Sequence, residues 1–298
     1  MKSGPTHSTE HTAGCNGIDI VYDTFGDHTL PPMVLIMGLG SQMILWEDDF
    51  CSQLSDRGFW VIRFDNRDVG RSSKLDHLGI PDFRALFSGS NTDVPYTLVD
   101  MAEDTIGLLD ALGIYKAHII GASMGGMIAQ VMAIEHPQRL RSLTSIMSST
   151  GDPCLPQPRP EAMQVLYRPY PADRDSFMKI FIDTWTVLGG DHLPMEYERI
   201  SKLAGISFER GVYPAGNARQ LAAIISSGSR KAMLESVKIP TLVIHGDADP
   251  LLPSECGIDT SRSIPGSTLK IIPGMGHALP HTIWNDIIDN ISKHASIF

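Results

Sequence analysis

Apolar residues fall along the chain in short runs, separated by longer stretches in which they recur every three or four positions. Residues 18–24 alternate apolar and polar side chains as an edge strand does, and 33–37, 60–64 and 118–121 are apolar runs of buried-strand length. A helix is predicted over 98–112, where Gly113 stops it. After Gly121 a glycine-flanked turn opens into an apolar helix that ends near His136-Pro137, and 143–147 reads as the next strand. The pattern resumes with strands over 240–246 and 267–273 and closes with an amphipathic helix over 282–294. Strands alternating with helices in this way predict an α/β protein with a mostly parallel central sheet flanked by helices.

Between 149 and 234 the alternation lapses, and proline, aromatic and methionine residues accumulate, among them Pro153, Pro156, Pro158, Pro160, Tyr167, Tyr170 and Trp185. Helices are predicted there over 176–188 and 218–226. The expected organisation is a core in two parts, 1–148 and 235–298, with a mainly helical cap (149–234) inserted between the sixth and seventh core strands. No internal repeat or low-complexity segment interrupts it.

Composition narrows the function classes. The 298 residues, 42% of them hydrophobic, suffice for one large core with an insertion. A formal charge of -10, with no basic run, repels a phosphate backbone, so nucleic acid is not an expected partner. Cys15, Cys51, Cys154 and Cys256 lie far apart with no zinc-site spacing and read as reduced thiols of a cytoplasmic protein. The first ten residues contain no apolar stretch of the kind a signal peptide needs, and no later segment has the length of a membrane span.

The candidate chemistry centres on Gly121-Ala122-Ser123-Met124-Gly125, a Gly-x-Ser-x-Gly pattern set between a predicted strand and a predicted helix. A nucleophile on so tight a turn has strained backbone angles, and only very small residues fit two positions either side. The helix that follows aims free N–H groups and its positive end at the site, which favours an oxyanion there. A serine hydroxyl is a weak nucleophile at neutral pH, so a base must take its proton and a carboxylate must orient that base. In this arrangement the order along the chain is serine, acid, histidine. His277 follows a predicted strand, and Asp247 and Asp249 both stand in the loop after the preceding one. His281 competes with His277 for the base, while His245 at a strand end reads as a packed core residue. Two backbone N–H groups are expected to form an oxyanion hole, one from Met124 and one from Leu39 in Met37-Gly38-Leu39-Gly40. The segment Asp65-Asn66-Arg67-Asp68-Val69-Gly70-Arg71-Ser72 is expected to brace the neighbouring loop by pairing its own Asp and Arg side chains. Met43, Trp46, Tyr167, Tyr170, Met178 and Trp185 are candidates to line an apolar substrate pocket.

These motifs, in this order, resemble the α/β-hydrolase superfamily across nearly the whole chain. Within it the sequence is most similar to bacterial carboxylesterases related to aclacinomycin methylesterase, which share Met-Gly at the oxyanion loop, Arg-Asp-x-Gly-Arg-Ser and Gly-Met-Gly-His-Ala-Leu-Pro. The resemblance implies Asp249 as the acid, because the family motif places that residue directly before the turning proline. It has Met37-Gly38 where many relatives carry His-Gly. Ser123 stands where dehalogenases and epoxide hydrolases of this fold carry aspartate, and the tryptophan and Gly-Gly-Pro-Gly loop of proline iminopeptidases are missing. The implied activity is hydrolysis of small to medium apolar carboxylic esters through an acyl-enzyme, by a triad of Ser123, Asp249 and His277, with no cofactor and no metal. The alternatives are carbon–carbon bond hydrolysis of vinylogous diketones and a low-turnover small-molecule receptor on the same fold. The motifs do not define the oligomeric state.

Overall fold

The computed structural model describes residues 7–88, 93–168 and 170–298. The first six residues, part of the amino terminus read above as lacking a signal peptide, lie outside that range. A hairpin opens the fold: strands β1 (His11–Cys15) and β2 (Ile18–Phe25) are joined by Asn16 and Gly17, both at positive φ (49° and 78°) as a type I′ turn requires. Strand β3 (Pro32–Ile36), helix α1 (Asp48–Asp56), strand β4 (Trp60–Phe64), the single-turn helix α2 (Phe83–Phe87) and helix α3 (Leu98–Ala111) follow. Thr97 and Asp100 form a capping box at the start of α3, satisfying N–H groups that the helix cannot bond internally.

Strand β5 (Ala117–Ala122), helix α4 (Met124–Glu135) and strand β6 (Leu140–Ile146) come next. Ten of the twelve residues of α4 are buried, which explains why its sequence is apolar on every side. Among the described residues, five helices lie between β6 and the next strand: α5 (Pro160–Leu166), α6 (Arg174–Gly189), α7 (Tyr197–Arg210), α8 (Pro214–Ser227) and the short α9 (Lys231–Leu234). The chain then returns through β7 (Thr241–Gly246), α10 (Ser254–Ser263), β8 (Thr268–Ile272) and α11 (Trp284–Ala295). Helix α11 buries Trp284, Ile287, Ile288, Ile291 and Ala295, a stripe at helical spacing that packs on the sheet.

The eight strands form one sheet in the order β1-β2-β4-β3-β5-β6-β7-β8. The pairs β1/β2 and β2/β4 are antiparallel and all others parallel. One core cluster packs α3 and α4 on one face of this sheet, and a second packs α1 and α11 on the other. The carboxyl ends of β3, β5, β7 and β8 therefore open on the same edge, the edge at which open parallel sheets place their ligands. Among the described residues, no helix is long and apolar enough to cross a membrane.

Candidate active site

Ser123 sits between β5 and α4 with φ 54° and ψ -119°, values of the first central position of a type II′ turn that glycine dominates. The surroundings hold it there. A Cβ on Gly121 would collide with the carbonyl oxygen of Gly125, and one on Gly125 would collide with that of Ile36 at the end of β3. The elbow is therefore wedged between its own helix and the neighbouring strand, and its spacing of glycines follows from backbone contact. Ser148, just past β6, donates its hydroxyl to the Ser123 carbonyl (2.8 Å) and supports the turn from behind.

The loops after β7 and β8 bring two further groups to this point. Ser123 Oγ lies 2.9 Å from His277 Nε2, and His277 Nδ1 lies 2.7 Å from Asp249 Oδ2. The other carboxylate oxygen of Asp249 accepts the N–H groups of Leu251 (2.9 Å) and Leu252 (2.8 Å), which fixes its plane. His277 and Asp249 are both buried. The loop of His277 is tied to the helical insertion: its N–H donates to the Leu188 carbonyl near the end of α6 (2.7 Å), and a Cβ on Gly276 would strike the carbonyl of Gly189.

The rivals named from sequence stand elsewhere. His281 has its N–H within reach of Glu196 and its ring against Trp284, 4.0 Å between centroids. Asp247 accepts the Gly274 N–H (2.6 Å) and so braces the His277 loop from outside the relay. His245 is fully buried beneath Asp249, and burial pushes its pKa down. In its neutral form it donates Nε2–H to the Leu252 carbonyl (2.7 Å).

Above Ser123 lies a cavity of about 330 Å³. Tyr167, Tyr170 and Trp185 line it, as does Leu39 from the loop after β3. Met124 is the first residue of α4, so its N–H has no partner within the helix. Met43 and Trp46 do not line the cavity, contrary to the expectation from sequence. Both are fully buried: the Asp65 carboxylate accepts the Met43 N–H (2.7 Å), which turns this segment inward, and Trp46 packs on Phe50 in the core beneath α1. Leu45, between them, is the residue that reaches the cavity.

The segment 65–72 braces the site, but with partners other than those expected. Arg67 pairs with Asp104 of α3 (2.6 Å), Asp65 with Arg210 at the end of α7, and Asp68 with Arg219 of α8 (2.8 Å). Two of these three buried ion pairs join the helical insertion to the core. Sequence reading missed a third tie of this kind, Gln220 of α8, whose Oε1 accepts the N–H of Gly40 (2.8 Å). No local pattern marks it, because its partner is 180 residues away.

The family model described as alpha/beta hydrolase fold matches residues 31–282. The chain belongs to this family and is an enzyme of the α/β-hydrolase class. Among curated proteins it is similar to rhodomycin D methylesterase DauP of Streptomyces sp. (strain C5), 28% identical over 296 residues that cover 90% of this chain and 92% of that one. It is also similar to 2-hydroxymuconate semialdehyde hydrolase of Pseudomonas putida, 26% identical over 210 residues, 70% of this chain and 72% of the other. The fold matches that of the solved 2-hydroxy-6-oxo-6-phenylhexa-2,4-dienoate hydrolase from Rhodococcus sp. strain RHA1, with a TM-score of 0.76 at 20% identity over 97% of this chain and 99% of that one.

Proposed function

We propose that the chain is a carboxylic ester hydrolase acting on neutral, largely apolar esters through an acyl-enzyme. The observation that carries this reading is the unbroken Asp249–His277–Ser123 hydrogen-bonded relay at the floor of an apolar cavity. Asp249 accepts the Nδ1 proton of His277, which leaves Nε2 with its lone pair toward the serine hydroxyl. As Ser123 Oγ attacks the ester carbonyl, Nε2 takes the hydroxyl proton and Asp249 stabilises the imidazolium that results. The carbonyl oxygen becomes an oxyanion facing the N–H groups of Leu39 and Met124. Collapse expels the alcohol, which takes its proton from His277, and a water activated by the same histidine releases the acid. The segment 149–234 serves as the cap that sets substrate size. Four free thiols fit a reducing compartment, the cytoplasm.

The similarity to methylesterases supports ester cleavage; the similarity to semialdehyde and dienoate hydrolases raises carbon–carbon cleavage with the same relay. The lining supports the first. A dienoate carries a carboxylate, and among the described lining residues the only arginine or lysine is Arg168, 3.7 Å from Asp183 and partly exposed. Apolar walls with no buried cation favour a neutral ester, since a desolvated carboxylate needs a partner.

The test is hydrolysis of short 4-nitrophenyl esters by the wild type and by Ser123→Ala, beside turnover of a ring-fission dienoate. The expected outcome is ester turnover by the wild type that falls by roughly 10³-fold or more in the variant, and slower turnover of the dienoate. Full ester activity in Ser123→Ala refutes the reading.

A further inference from the structure

We infer that Gln220, on a helix of the insertion, is a positioning residue for the oxyanion site, so that the site's donor geometry depends on α8 being seated on the core. The inference rests on the ester-hydrolase reading above and names a residue that the reading does not need.

The donor expected in the loop after β3 is the N–H of Leu39, which belongs to the Gly38–Leu39 peptide group. Each of the two peptide groups flanking it is held by a side-chain amide from elsewhere in the chain. Upstream, Asn66 donates Nδ2–H to the Met37 carbonyl (3.0 Å). Downstream, the Gly40 N–H donates to Gln220 Oε1 (2.8 Å). Gln220 is fully buried, and its Nε2 donates to the Arg67 carbonyl (2.8 Å), so its amide cannot turn over without breaking both bonds. The Ser41 N–H closes the turn on the Gly38 carbonyl (3.2 Å). With both neighbours clamped, the Gly38–Leu39 peptide has little freedom to swing. The clamp lies next to the chemistry: a Cβ on Gly38 would lie 3.1 Å from that of Ser123.

Glycine occupies this loop because the backbone must pass close to Ser123 and, at Gly40, adopt φ 64° beside Asn217 of α8. The same glycines make the loop pliable, and a pliable loop is a poor oxyanion hole, because donors must be aimed before charge develops. Gln220 supplies from 180 residues away the rigidity that the local sequence gives up.

The experiment compares wild type, Gln220→Met and Ser123→Ala on 4-nitrophenyl acetate. Inhibition is measured with phenylboronic acid, which adds to a nucleophilic serine to give a tetrahedral anion, and with acetophenone, a neutral apolar occupant. Gln220→Met keeps the length of the side chain and removes both bonds. The expected result is a fall in kcat of ~10–100-fold with KM within ~3-fold of wild type. Phenylboronic acid should weaken in parallel with kcat while acetophenone binding is unchanged. A kcat within ~2-fold of wild type, or equal weakening of both inhibitors, overturns the inference. If Gln220→Met does not fold, Gln220→Asn keeps a neutral amide but withdraws it by one carbon from Gly40 and is judged by the same inhibitor pair: selective weakening of phenylboronic acid supports the inference and parallel change overturns it. Full activity in Ser123→Ala instead removes the ester-hydrolase reading itself, an outcome distinct from a silent Gln220→Met.

Discussion

Replacing Ser123 by glycine should make the protein more stable than replacing it by alanine, although both variants lose the hydroxyl. Both substitutions delete the bond to His277 equally, so their difference isolates the backbone at φ 54°, ψ -119°. An L-residue held in this region costs about 1–3 kcal/mol. Glycine's extra freedom in the unfolded chain, with the loss of one half-buried methyl, takes back ~0.5–1 kcal/mol. The net gain for glycine over alanine is ~0.5–2 kcal/mol. For a chain of 298 residues, an unfolding entropy of about 2.1 cal/mol/K per residue turns that gain into a rise of ~1–3 °C in thermal midpoint. Urea denaturation and calorimetry of the two variants, side by side, read the difference directly. Ser123→Gly equal to or below Ser123→Ala would mean that the elbow carries no strain.

Two further outcomes concern the frame around the site. Arg219→Met leaves the Asp68 carboxylate fully buried with only Tyr96 and Leu75 as donors, so unfolding free energy should fall by ~3 kcal/mol; a loss under ~1 kcal/mol in urea titration refutes this. His118, buried with Nδ1 2.8 Å from Ser142 Oγ, has its pKa pushed by burial down to about 4 from 6.5. The unfolded chain therefore binds this proton before the folded one does, and the stability His118 contributes above pH 6.5 is lost as pH falls toward 4, by about 3 kcal/mol in all. His118→Gln should flatten the acid limb of stability against pH, leaving the slope due to His245 and His294, which burial shifts in the same direction. An unchanged slope counts against it.

The inner strands of the sheet were legible because they are buried on both faces. Residues 60–64 were placed without error since every position from Val61 to Phe64 is covered. Strand β1 was not, as His11, Thr12 and Gly14 are exposed and break the apolar signal, although Asn16-Gly17 marks the hairpin turn. Helix α7 was not predicted, although Ile200, Leu203, Ala204 and Ser207 fall at helical spacing on its buried side with Glu198, Arg199, Lys202 and Glu209 between them. In the site, the residues that their own turns place do meet: His277 lies within hydrogen-bond distance of Ser123 on one side and of Asp249 on the other. Residues fixed by distant contacts were not legible. Being apolar marks Met43 and Trp46 for a buried place but does not say on which side of the loop, a choice made by the Asp65 carboxylate. Nor does a glutamine in a helix disclose that its partner is a glycine near the start of the chain.

The hydrogen bond from the His277 N–H to the Leu188 carbonyl bears on how such enzymes can be recombined. The insertion is an inviting module to exchange, since it enters and leaves the sheet between two adjacent parallel strands. Yet the end of α6 seats the loop that carries the imidazole, and Gly276 leaves no room for a different backbone path at Gly189. A chimera that trades residues 149–234 for those of a relative changes the walls of the cavity above Ser123 and the seating of His277 in one stroke. Crossovers that leave 188–189 with the core, and redesign only the walls formed by α5, the middle of α6 and α8, keep the two apart.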